Sequence, residues 1–234
     1  MKRIKNCYTV SAGLADYFKE KYGTTFEVIR NMPLLDETIG PASNAETEKY
    51  LSEETRRFIF YQGALNEGRG LEHLVEAMQH IPCKLKLAGE GDLSNTLRDM
   101  VAEKGLEDKV KFLGMKKPGE LKQLTLQSFI GINLLENRGL SYYYSLANKF
   151  FDYVQAGVPI ITMNFPEYRK LNAEYEVAHL LNDLQTDTLT NVILQLSQDK
   201  DAYFRLRENG LRARHDWNWQ KEEQKLLAFY QQLA

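Results

Sequence analysis

The pattern of apolar and polar positions along the chain changes period repeatedly. From residue 58 onward, short apolar runs alternate with stretches in which apolar residues recur at helical spacing. The runs that predict strands are FIFYQG (58–63), CKLKLAG (83–89), KVKFLG (109–114), SFIGINLL (128–135) and VPIITM (158–163). The stretches that predict helices are 70–80, 93–105, 118–127, 147–156, 186–198, 201–214 and 219–233. This alternation predicts right-handed crossovers, a mostly parallel sheet and an α/β fold of Rossmann-like, three-layer αβα type.

The first quarter of the chain has a different pattern. NCYTV (6–10) predicts a short strand, the next segment a helix with Ser11 as its N-cap, and TTFEVIRNMP (24–33) a second strand. The polar stretch 34–57 has weak apolar periodicity. It predicts a linker with a helical turn near 44–51.

Composition limits the partners. The 234 residues are 43% hydrophobic and 26% charged, with a net charge of −2, so no nucleic-acid partner is expected and any anion site must be local. Cys7 and Cys83 form neither a disulfide framework nor a metal cluster and suit a reducing compartment. No signal peptide or membrane-spanning run is visible, which favours a cytoplasmic location and leaves peripheral membrane contact open.

A lysine stands at the start of a predicted helix. In SLANKFFDYVQAGVPII (145–161), Lys149 lies in the first turn, where unpaired N–H groups and the helix dipole already favour an anion. Arg69, in GALNEGRGLEHL (63–74), stands at another helix start, after Gly63 and Gly68. Each cation is either solvated or part of an anion site, and the spacing matches neither a dinucleotide fingerprint nor a P-loop.

Polar residues follow the lysine at helical intervals. Asn148, Asp152 and Gln155 form a stripe that is either a solvated face or a ligand-binding face. Ligands of parallel α/β sheets bind beyond the carboxyl ends of the strands, where these loops lie. Phosphate at the helix start with ribose hydroxyls on Asp152 would suit a nucleotide, and two cations would suit a diphosphate. The run Tyr142–Tyr144 indicates either packing or a loop that closes over a ligand, and His179, placed after the last strand, is expected to be a loop or core residue.

The order of these pieces resembles the donor-binding half of a GT-B glycosyltransferase, family 4 (group 1). The matching pieces are NMP (31–33), GALNEGRGLEHLVEA (63–77), LAGEGD (87–92), VKFLG (110–114), SLANKFFDYVQAGVPII (145–161) and FPEYRKL (165–171). The resemblance covers about residues 8–232 and implies retaining transfer of a sugar from a UDP-, GDP- or ADP-sugar, without a metal. It implies a setting in polysaccharide or glycoconjugate synthesis, in the cytoplasm or at the inner face of the membrane.

The resemblance also implies site residues. Arg69 and Lys149 would be the catalytic cations on the diphosphate, Asp152 the ribose ligand, and the backbone at Gly114 and Met115 the reader of the base. The remaining donor-binding residues would be Gly63, Ala64, Ser145, Leu146 and Asn148. Two positions depart from the pattern: Ala64 replaces a basic residue of the diphosphate pair and Tyr144 replaces the first acid of E-x7-E.

The resemblance implies that an acceptor-binding half precedes this one. Residues 1–32 would then be the end of that half and the linker, 33–216 the nucleotide-sugar domain, and 217–234 a helix that crosses back. The chain would be a truncated protein or one subunit of a split enzyme, inactive until the missing half joins it in cis or as a separate subunit. Two alternatives stay open: a non-catalytic nucleotide-sugar-binding or interaction module, and a flavodoxin-like signalling domain without nucleotide affinity.

Overall fold

A parallel six-stranded sheet forms the main body of the computed structural model, which describes residues 6–37, 43–52 and 57–233. Its strands are β3 (Phe58–Gln62), β4 (Lys84–Ala88), β5 (Val110–Gly114), β6 (Ile130–Asn133), β7 (Ile160–Met163) and β8 (Ala178–Leu181), in the order β5-β4-β3-β6-β7-β8. A separate parallel pair consists of β1 (Tyr8–Thr9) and β2 (Glu27–Val28). The predicted α/β fold is confirmed.

Every helix that the sequence predicts is present, and two further helices, Leu140–Tyr143 and Pro166–Glu174, were not predicted. The helices are α1 (Ala12–Tyr22), α2 (Asn44–Ser52), α3 (Leu71–Ala77), α4 (Ser94–Glu103), α5 (Pro118–Leu126), α6 (Leu140–Tyr143), α7 (Asn148–Ala156), α8 (Pro166–Glu174), α9 (Thr186–Gln198), α10 (Lys200–Ala213) and α11 (Trp219–Gln231). Every residue of β3, β6 and β7 is buried, as expected for strands covered on both faces. Helices α3 and α9 pack together, as do α5 and α7.

The strand order places a ligand-binding crevice in the middle of the sheet. Strands β3 and β6 are neighbours, yet the chain leaves them toward opposite edges of the sheet. This is a topological switch point, where the loops after two adjacent strands separate and leave a cleft. The loops 63–70 and 134–147 therefore meet at one place.

A buried carboxylate attaches the β1–α1–β2 unit to the main body. Glu167, at the start of α8, accepts hydrogen bonds from the backbone N–H groups of Ala12 (3.2 Å) and Gly13 (2.7 Å) in the first turn of α1. The side chain of Glu167 is 2% exposed. On the other side of the unit, Tyr8 packs edge-on against Phe229 of α11. A carboxylate at a helix N-terminus satisfies orphan N–H groups and favours the dipole.

Glu167→Ala is expected to loosen α1 selectively. Two buried N–H groups lose a charged acceptor, at a cost of about 2 kcal/mol. Amides of α1 should then exchange with solvent about 30-fold faster in hydrogen-exchange mass spectrometry. Glu174→Ala, at the exposed end of the same helix, is the control and should leave the exchange rates of the α1 amides unchanged. Equal exchange of α1 in both variants would show that Glu167 does not hold it.

Some sequence-based expectations were wrong or incomplete. His179 lies inside β8 rather than after the last strand. The stretch 136–145, for which the apolar pattern predicts no helix or strand, contains the one-turn helix α6. The helical turn near 44–51 is confirmed as α2. Edge strands and one-turn helices carry few periodic positions, so their pattern in the sequence is weak.

Candidate functional site

Arg69 and Lys149 lie at the crevice that the switch point creates. Arg69 immediately precedes Gly70, the N-cap of α3, and Lys149 is in the first turn of α7, whose N-cap is Ala147. The first follows β3 and the second follows β6. The two cations are close enough for the charge of Arg69 to act on Lys149. The predicted placement of both cations at helix starts is therefore confirmed.

The ammonium of Lys149 occupies an unusual environment. Its Nζ lies 3.7 Å from the centroid of the Tyr61 ring, and a Cβ at Gly63 would stand 3.2 Å from it. Within the described residues, no carboxylate oxygen lies within 4.0 Å of Nζ. Burial, and secondly the charge of Arg69, lower the pKa of Lys149 well below its usual value, while Asp152 opposes this. An anionic ligand here would relieve the repulsion.

In the part of the chain that the structure describes, the guanidinium of Arg69 has no carboxylate partner. It lies over the ring of Tyr142, with 5.3 Å from Cζ to the ring centroid. Its Nε is buried and has no hydrogen-bond partner among the described residues. A buried donor without an acceptor is costly in a finished core and common where a ligand completes the bonding.

Two residues at the end of β3, Tyr61 and Gln62, form the floor of the candidate site, and the sequence did not indicate either of them. Tyr61 donates a hydrogen bond to the carbonyl of Ala64 (2.7 Å), and burial raises the pKa of Tyr61 to about 12, so its hydroxyl stays neutral. Gln62 donates from Nε2 to Oδ2 of Asp152 (2.8 Å). The signal available was the polar end of FIFYQG, since buried strand interiors are normally apolar.

Asp152 is a partly desolvated acid. Burial raises the pKa of Asp152 to about 6, against the opposing effects of the Gln62 hydrogen bond and of Lys149. Asp152 faces a cavity of about 330 Å³ between α5 and α7. The apolar lining residues are Pro33, Leu34, Pro118, Leu121, Leu126 and Ala156. The polar or charged ones are Asp36, Gln62, Lys122, Thr125, Asp152 and Gln155. A cavity that combines apolar walls with convergent polar groups is typical of a small-molecule site.

A second cavity adjoins the first. It measures about 180 Å³, and Leu121 lines both. Its other residues are Gly63, Ala64, Ala88, Gly89, Glu90, Met115 and Lys116. Three predicted donor-binding residues, Gly63, Ala64 and Met115, therefore share one cavity, and Gly114 at the end of β5 adjoins it.

The remaining predicted residues lie around the start of α7. The Oγ of Ser145 is buried without a partner among the described residues, and Leu146 packs against the core. Asn148 instead accepts a hydrogen bond from Asn31 of the linker (3.1 Å). Gln155 donates to the carbonyl of Trp217 (2.9 Å). The polar stripe of α7 is thus divided among the linker, the cavity and the core.

The three consecutive tyrosines have three different environments. Tyr142 covers Arg69, whereas Tyr143 packs against Phe165 and Tyr144. The ring of Tyr144 lies against the backbone of Gly13 in α1, where a Cβ would overlap it. Among the described residues, only Tyr142 of the three contacts a predicted site cation, so packing explains at least two of them.

Among the described residues, no cluster of three or more histidine, cysteine or acidic side chains is arranged to hold a metal ion. The same part of the chain contains no helix that is both long and apolar enough to cross a membrane.

Comparison with known proteins identifies the family. Residues 43–213 match the family described as glycosyl transferases group 1, which is well over half of the chain. The chain belongs to this family. A curated relative, the uncharacterized glycosyltransferase MJ1607 of Methanocaldococcus jannaschii, is 34% identical over 76 residues, covering 31% of this chain and 20% of that protein.

Solved structures share the fold. Anabaena HepE (Alr3699), crystallised with UDP, superposes with a TM-score of 0.80 at 16% identity, over 99% of this chain and 65% of HepE. Sucrose-phosphate synthase of Thermosynechococcus elongatus gives a TM-score of 0.79 at 20% identity, over 97% of this chain and 58% of the synthase. The chain thus has the Rossmann-like fold of GT-B glycosyltransferases and spans less than two thirds of each of these proteins.

Proposed function

We propose that this chain is the donor-binding domain of a glycosyltransferase that takes its sugar from a nucleotide diphosphosugar. The observation that carries the proposal is the pair Arg69 and Lys149, two cations at a switch point that pair with no carboxylate among the described residues. Asp152 lies one helical turn from Lys149 and lines the larger cavity. A diphosphate would neutralise the pair, and a ribose would use the acid.

Each part of the donor has a place in this proposal. Arg69 and Lys149 bind the diphosphate and stabilise the charge that develops on it as the sugar leaves, so no metal is required. Asp152 accepts hydrogen bonds from ribose hydroxyls. The backbone at Gly114 and Met115 recognises the base. The remaining donor-binding residues are Gly63, Ala64, Ser145, Leu146 and Asn148. HepE, which was crystallised with UDP, supports a nucleotide ligand.

The reaction we propose is transfer with retention of anomeric configuration, in polysaccharide or glycoconjugate synthesis in the cytoplasm. The acceptor binds to a second half, which precedes this one in cis or is a separate subunit, and any membrane contact occurs through it. Residues 1–32 and the helix from 217 belong to the junction of the two halves. The longer chains of HepE and the synthase support this division.

A second candidate is nucleotide-sugar binding without transfer. Ala64 carries no charge, and Tyr144, which stands at the position of the first acid of the E-x7-E pattern, packs against Gly13. Transfer assays after the acceptor half has been supplied separate the two: product formation favours the enzyme, and nucleotide binding without product favours the module.

Calorimetric titration with UDP, GDP and ADP tests the site. We expect one of the three to bind, and Lys149→Ala and Asp152→Ala each to weaken that binding by tenfold or more, about 1.4 kcal/mol. Lys111→Ala, an exposed lysine on β5, is the control and should bind as the unaltered chain does. No binding by the folded chain, or equal binding by all variants, would contradict the proposal.

A further inference from the structure

The loops after β3 and β6 are joined around Arg69. Glu136 donates its backbone N–H to the carbonyl of Gly68 (2.9 Å). Arg138 forms ion pairs with Glu67 (3.0 Å) in the first loop and Glu136 (2.6 Å) in its own. The packing is close, because a Cβ at Gly68 would lie 3.2 Å from Cδ of Arg138 and 3.3 Å from Cε1 of Tyr142.

We propose that Tyr142 and Arg138 are positioning residues that hold the Arg69 guanidinium ready for the diphosphate. This inference rests on the proposed function, because it assigns the groups that orient one of its two cations. Neither residue is required to touch the ligand. Their effect is exerted through Arg69.

Tyr142 supplies the surface on which Arg69 rests. Its ring faces the guanidinium at 5.3 Å, while its hydroxyl lies 3.5 Å from the carbonyl of Glu67. A free arginine side chain has many rotamers, and ordering it on binding costs affinity. A ring that favours one orientation by cation–π attraction removes part of that cost beforehand. The aromatic ring, more than the distant hydroxyl, carries this role.

Arg138 keeps two carboxylates away from Arg69. Glu67 stands two residues before Arg69, and Glu136 is bonded to the same loop through Gly68. Both carboxylates are paired to the Arg138 guanidinium instead. Without Arg138, either acid becomes a competitor of the diphosphate for Arg69, since exposed ion pairs exchange partners at little cost.

The test measures the contribution of the second phosphate to binding separately from that of the rest of the nucleotide. UDP and UMP are titrated against each variant, or GDP with GMP and ADP with AMP if the unaltered chain selects another base. The ratio of the UMP to the UDP dissociation constant measures what the second phosphate adds. A purely structural role would weaken both nucleotides together and leave this ratio unchanged.

We expect Tyr142→Leu to lower the ratio about fivefold, within the range of a cation–π contact. Arg138→Gln should lower it by up to about fivefold, the upper range for an exposed ion pair. Tyr142→Phe should keep the ratio within about twofold, because it retains the ring. Tyr230→Leu, an exposed tyrosine on α11, is the control and should leave the ratio unchanged. Thermal melting of each variant verifies that it is folded, and Arg138→Gln keeps the test valid if Tyr142→Leu is unstable.

A double-variant comparison decides whether the effect passes through Arg69. In an Arg69→Ala background, Tyr142→Leu should change the ratio no further. A further fivefold fall of the ratio in the Arg69→Ala background would overturn this inference while leaving the donor site in place. An unchanged ratio in Tyr142→Leu and Arg138→Gln would do the same. If the unaltered chain binds no nucleotide, the proposed function fails, and the inference fails with it.

Discussion

Lys149→Met is expected to weaken binding of the nucleoside diphosphate about 100-fold, the loss typical of removing one member of a desolvated charge contact. The same substitution should make the unliganded protein more stable. Burial and Arg69 already lower the pKa of Lys149, so the unliganded fold bears the cost of a desolvated charge beside a like charge. Methionine fills a similar volume over the Tyr61 ring without that charge.

Thermal unfolding and calorimetry on the same preparation measure both effects. We expect a gain of about 1 kcal/mol, which corresponds to about 3 °C in Tm for a chain of this size. Lys111→Met, at an exposed position on β5, should change neither quantity. A loss of stability in Lys149→Met would mean that the lysine serves the fold rather than a ligand.

Asp152→Asn is expected to alter how stability depends on pH. The pKa of Asp152 is about 6 in the folded protein and near 3.8 when the chain is unfolded, so the folded state binds the extra proton between these values. The folded protein bears the cost of the buried carboxylate above pH 6, and that cost disappears as the pH falls. Lowering the pH from 7 to 5 should therefore stabilise the unaltered chain by about 1 kcal/mol more than the variant.

Urea unfolding of both proteins at pH 7 and pH 5 measures this difference. Groups that titrate far from Asp152 act equally in the two proteins and cancel in the comparison. At pH 7 the variant should bind the nucleotide about tenfold or more weakly, because the amide replaces a charged acceptor of ribose hydrogen bonds. Identical pH profiles would show that the Asp152 carboxylate is not desolvated.

The sequence predicted the site where local rules were sufficient. A helix start is recognisable from a few neighbouring residues, so Lys149 and Arg69 stood out as cations where an acid would be favoured. The buried runs around 58–62, 130–133 and 160–163 marked the central strands for the same reason. These features depend on spacing within a short segment.

The groups that the sequence did not identify depend on strand order. Tyr61 and Gln62 looked like the end of a buried strand, and only the adjacency of β3 and β6 brings them beneath α7. Glu167 reaches Gly13 across 154 positions of the chain. No periodic pattern encodes such contacts, because they arise when separate βα units pack together.

Local rules also failed where two residues competed for one role. Aspartate is a favoured N-cap and Asp92 lies just before α4, yet Leu93 is the N-cap and the hydroxyl of Ser94 accepts from the N–H of Gly91 (2.9 Å). The N–H of Asp92 is bonded to the side chain of Asn66 instead (3.2 Å). A contact with the preceding loop therefore overrides the capping preference of an aspartate.

A crystal structure of this chain with the nucleoside diphosphate selected by titration tests the central claim most directly. The account predicts that the diphosphate lies between Arg69 and Lys149 Nζ, each within hydrogen-bond distance of a phosphate oxygen. It also predicts that the ribose hydroxyls face Asp152 in the lining of the cavity between α5 and α7. A nucleotide bound elsewhere, or bound here with its phosphates away from both cations, would contradict the account.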